Sequence, residues 1–184
     1  MRGTIMRRLV QGLFAALVLL ATACDKQATA APGHDSQWPA SAAGIVCQLL
    51  EYDAVTAKLG TRFDTAGGAK QDNTLTCALT QKDQAYPYLT LALTPTTIDS
   101  VVFTESVKPQ GAYSLPDLGV IAYRATIPAT GDVGPALQVV WLSESSRLIV
   151  LKYGFPPSTA PEEIDGFTAK MLALAQEVEK TLPS

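Results

Sequence analysis

The sequence predicts an α+β fold: an antiparallel β-sheet packed by a short N-terminal helix and a long C-terminal helix, after a signal peptide and a flexible tether. Three observations carry that expectation. Residues 74–80 and 88–94 alternate apolar side chains with polar ones at period 2, the signature of strands with one buried face. Ile164, Phe167, Met171, Leu174, Val178 and Leu182 recur at helical spacing and form one apolar stripe. The first 23 residues pair positive charge with an apolar run too short to span a bilayer as a permanent helix, which needs about 20 residues.

In that leader, Arg2, Arg7 and Arg8 precede the apolar stretch Leu9 to Leu20, and Ala21-Thr22-Ala23 supplies the small residues a signal peptidase requires. Ala21-Thr22-Ala23-Cys24 resembles the lipobox of bacterial lipoproteins, with Ala21 where leucine is commonest. The resemblance implies cleavage before Cys24 and acylation of that cysteine. More than one acyl chain gives stable membrane attachment, whereas one is marginal. Asp25 next to it resembles an inner-membrane retention signal of enterobacterial lipoproteins. The expected organisation is therefore a signal at 1–23, a tether at 24–43 and a domain at 44–184, on the extracytoplasmic, periplasmic face of the cell membrane.

Composition narrows the partners. Removing the three signal arginines from 14 basic residues leaves 11 against 17 acidic ones, a formal charge of −6 without a basic cluster. Phosphate backbones need concentrated Lys and Arg, so nucleic acid is not an expected partner. With Cys24 assigned to lipid, Cys47 and Cys77 remain as a pair that an oxidising compartment would join. Their spacing is far from that of a redox or zinc motif.

Residues 25–43, rich in Ala, Ser, Gly and Pro, read as the tether and contain the single histidine, His34. Residues 51–60 read as a short helix stopped by Gly60, with Val55 and Leu59 facing the core. Thr61 to Ala66 reads as an edge strand ended by a turn at Gly67-Gly68. Residues 71–73 suit a hairpin turn. Leu75, Cys77 and Leu79 are expected to point inward, as are Leu89, Leu91 and Leu93, which would let Cys77 reach Cys47 beside the first helix, and a bridge there would staple helix to sheet.

Residues 97–107 read as a short helix capped by Thr97, 108–116 as a loop and 120–125 as a strand. The hairpin 136–143 with 147–153 is apolar on both faces, as central strands are. Pro156 to Pro161 then ends the sheet. The last helix is expected to be capped by Thr159, with Pro161, Glu162 and Glu163 in its first turn.

From Cys47 to Leu182 the chain resembles small lipoproteins of unknown function common in actinobacterial envelopes. The resemblance rests on Cys47 with Leu49-Leu50, a helix ending Leu59-Gly60, and Cys77 in a strand. Leu118-Gly119 with Ala122-Tyr123, the 139–150 hairpin and an Ala-rich last helix complete it. It implies an antiparallel sheet packed by helices, a Cys–Cys bridge and no established activity.

No residue pattern marks an enzyme. Ser-His-Asp or Cys-His chemistry needs a positioned histidine, and His34 lies in the tether. No phosphate-binding loop, metal site or cofactor motif stands out, and Glu162 and Glu163 are explained by the helix dipole. The expectation is a non-catalytic binding module held at the membrane by its lipid. Tyr86, Tyr88, Tyr113 and Trp141 are the candidate contact residues for an envelope protein. The alternative is a carrier or sensor holding a lipid or small amphiphile in an apolar pocket between the last helix and the sheet.

Overall fold

Seven antiparallel strands form one sheet in the order β1-β2-β3-β7-β6-β5-β4. They are β1 (Thr65–Gln71), β2 (Thr74–Thr80), β3 (Tyr88–Pro95), β4 (Tyr113–Leu115), β5 (Ile121–Ile127), β6 (Ala136–Leu142) and β7 (Arg147–Gly154). The computed structural model describes residues 37–183. The signal, Cys24, His34 and most of the expected tether lie outside the described residues.

The period-2 reading holds residue by residue. Leu79, Cys77, Leu89 and Leu91 are buried on one face, while Thr76, Thr80, Thr90 and Thr94 on the other are half-buried. Register aligns Cys77 with Leu91 and Leu91 with Leu151, so the apolar rows continue across three strands. Asp72-Asn73 joins β1 to β2, with Asp72 at φ 51°, a left-handed conformation that Asp tolerates in tight hairpins.

The inner face is covered by two 3₁₀ turns (Ala40–Ala43 and Ile45–Leu50) and by helices α1 (Tyr52–Leu59), α3 (Pro161–Gly166) and α4 (Thr168–Thr181). Val55 and Leu59 bury the α1 face, and Gly60 ends it at φ 73°, its N–H donating to Thr56 O. Met171, Leu174 and Val178 from α4 meet Val139, Trp141 and Leu151. Each such fully buried side chain contributes about 1.5–3 kcal/mol relative to exposure. Cys47 and Cys77 form a disulfide, with Cα atoms 5.1 Å apart, that joins the second 3₁₀ turn to β2.

A smaller second core lies on the outer face. Phe103 packs there on Tyr123, Val140 and Leu142, with Leu148 and Val150 beside them. It is held by α2 (Ser100–Val102) and the wider π-turn Phe103–Val107. The hairpin β6–β7 is therefore apolar on both faces because helical layers press on each.

Several local expectations are corrected. Gly67-Gly68 does not turn; both lie within β1, paired with Ala78 and Cys77. A Cβ on Gly68 would stand 2.0 Å from Ala43 O, so glycine is needed for backbone contact there. The domain also begins before Gly44: Ala40 is fully buried and Ser41 N–H donates to Glu51 Oε1. Asp99, rather than Thr97, caps the helical turn, accepting from Val102 N at 2.9 Å. The expected loop at 108–116 contains β4, paired with β5. Thr159 is not a cap: Ala160 occupies that position without a side-chain bond, and Pro161 opens α3.

Candidate functional site

The last residues of β7 lead into two open clefts that flank α3. On one side, Tyr153, Phe155 and Phe167 form an aromatic cluster, with ring centroids of Tyr153 4.7 Å from Phe155 and 4.5 Å from Phe167. Thr61, Pro87, Glu163 and Lys170 complete a cleft of about 440 Å³. Tyr153 and Thr61 share a hydroxyl hydrogen bond of 3.0 Å. Burial pushes the Tyr153 phenol above its ordinary range; the Thr61 hydrogen bond opposes the rise and the charge of Glu163 adds to it. Lys170 Nζ stands 5.4 Å over the Phe167 ring and donates to Leu59 O.

On the other side is a groove of about 470 Å³ to which four prolines contribute. Pro128 and Pro135 come from the β5–β6 connection, Pro157 and Pro161 from the approach to α3. Tyr113 stands at its rim, 63% exposed, with the Arg124 guanidinium 4.4 Å above its ring. Arg124 also reaches Asp165 at 3.4 Å, which ties β5 to α3. Beside the groove, Gly134 packs against the backbone after β7: a Cβ there would stand 1.9 Å from Phe155 O. Its N–H donates to Tyr86 Oη at 2.9 Å.

The four aromatic residues expected from sequence do not converge. Tyr86 and Tyr88 lie together, rings 5.7 Å apart across the cis Tyr86-Pro87 bond, and both are half-buried. Tyr113 belongs to the groove. Trp141 is corrected to a core residue: it is fully buried under α4, and its Nε1 donates to Glu179 Oε2 at 2.6 Å. It faces no ligand surface. The layer in which a carrier cavity was expected, between α4 and the sheet, is filled by Trp141, Met171, Leu174, Ala175 and Val178.

Sequence reading missed Arg124, Lys170 and the prolines. The run Pro156-Pro157-Ser158-Thr159-Ala160-Pro161 was legible only as a sheet breaker, although it also builds a wall. Phe167 was legible as part of the α4 stripe, and it does reach the core edge while its ring lines the cleft. Among the described residues, no group of three or more His, Cys, Asp or Glu is placed to hold a metal ion, and no helix is long and apolar enough to cross a membrane. Compared with known family models and with curated proteins, the chain matches none.

Proposed function

We propose that this is a lipid-anchored envelope protein, exported, acylated at Cys24 and held on the extracytoplasmic face of the membrane, whose domain is a non-catalytic interaction module. The observation that carries the first half is the Cys47–Cys77 bridge. Disulfides persist in oxidising compartments, and the pairing accounts for two of the three cysteines of the sequence, the third being Cys24 of the lipobox-like motif.

The groove beside α3 supports the second half. Proline walls lose little conformational entropy on binding, and an exposed tyrosine under an arginine gives apolar area with polar edges. Such a trough suits a short extended segment of a neighbouring envelope protein. The carrier reading is less well supported, because the described clefts are open and the α4–sheet layer is packed.

Two measurements test the proposal. Mass analysis of the N-terminal peptide from membrane-extracted protein should show Cys24 bearing acyl chains, and Cys24→Ser should release the protein from the membrane. A photo-crosslinking residue at position 113 should yield one discrete adduct in cells, lost when Arg124→Glu is added. An adduct equally strong from a probe at exposed Glu105, on the π-turn away from the groove, would sink the groove assignment.

A further inference from the structure

The two most exposed large apolar side chains of the described residues are Trp38, 81% exposed, and Ile45, 67% exposed. Both belong to the segment that leads into the fold, and they line neighbouring clefts along β1 that share Ala43. One acid and one base, Asp64 and Lys70, lie in these clefts, so the strip is apolar with balanced charge. We infer that this strip docks on the bilayer surface, with the Trp38 indole at headgroup depth and Ile45 beside it.

The inference rests on the anchored reading, and chain length makes it geometrically natural. From Cys24 to Trp38 is a 14-residue step that reaches at most about 50 Å, and any less extended path brings Trp38 closer to the lipid. An acyl anchor at Cys24 thus holds the strip at high local concentration over lipid, where weak contacts suffice. Tryptophan is enriched at membrane interfaces because its ring is apolar and its N–H polar. With one acid and one base the strip has no basic grip on anionic lipid, so zwitterionic headgroups suffice for the docking. Docking on this side also orients the sheet. β1 is one edge and β4, beside the Tyr113 groove, is the other, so the groove faces away from the membrane.

The chain carries two tryptophans, and only Trp38 is exposed, so its fluorescence reports docking directly. Full-length protein extracted from membranes would be reconstituted into phosphatidylcholine vesicles, with and without brominated phosphatidylcholine. The N-terminal peptide would be weighed from the same sample. Acylated protein should show blue-shifted Trp38 emission, quenched most by bromines near the headgroup, and Trp38→Phe should remove the quenched component and leave Trp141. Acylated protein whose Trp38 stays water-like and unquenched overturns docking while the anchor stands. A blue shift without quenching by brominated lipid also overturns it. Unacylated protein overturns the anchor and the docking together.

Discussion

Glu179 holds two donors at once, Trp141 Nε1 at 2.6 Å and Glu144 N at 3.3 Å. Its position at the edge of the α4 stripe gave no sequence signal, because an acid on a helix flank usually faces water. Glu179→Ala leaves the indole N–H without a partner in a buried site, a cost of about 1–3 kcal/mol. Urea unfolding should show that loss, and Trp141→Phe combined with it should cost less than the two separate changes added. Tyr153 makes a pH-dependent contribution. Burial raises its phenol above 10.0, so the fold prefers the neutral form. Its stabilisation is complete below pH 10 and is lost as pH rises through the folded value. Tyr52 and Tyr123 shift in the same direction, also chiefly by burial. Stability by urea titration should fall above about pH 10, and less steeply in Tyr153→Phe.

At the scale of elements, the bridge between Cys47 and Cys77 closes a 30-residue separation. The chain-entropy relation gives about 3.6 kcal/mol for such a loop. Unfolding with and without reductant should differ by roughly that amount, and Cys47→Ala with Cys77→Ala should match the reduced protein. The elements whose pattern was strong were readable from sequence: β2 and β3 from alternation, α1 from Gly60, and the β6–β7 hairpin from apolarity on both faces. Those set by tertiary contact were not. Gly67-Gly68 carries the composition of a turn, yet the approach of Ala43 to Gly68 makes it a strand. β4 is three residues long and has too little sequence to show a period. The groove was invisible for a related reason: its walls come from 113–135 and 157–165, and no local pattern records that they meet.

For the molecule as a whole, strand order was beyond local reading. Turn residues encode neighbours such as β1–β2 and β6–β7, whereas β3 pairs with β7 across more than fifty intervening residues. Only the two-faced apolarity of β7 hinted that it lies inside the sheet. The β3–β7 pairing joins two meanders, β1-β2-β3 and β4-β5-β6-β7. A chain stopped before β7, at Ser143, should therefore lack cooperative thermal unfolding, whereas removing Met1 to Ser36 should leave the transition in place.

That arrangement also fixes a timetable. Chains emerge N-terminus first, and the strand that closes the middle of this sheet is the last of the seven to be made. Until residue 154 is available, β3 and β6 each offer an unpaired flank of backbone N–H and C=O groups. Their sequences, Tyr88 to Pro95 and Ala136 to Leu142, are among the most apolar of the fold. Unfilled edges of this kind recruit other chains. For an exported chain that interval runs from the emergence of β3 beyond the membrane to the arrival of β7, and shielding by a chaperone would matter most then.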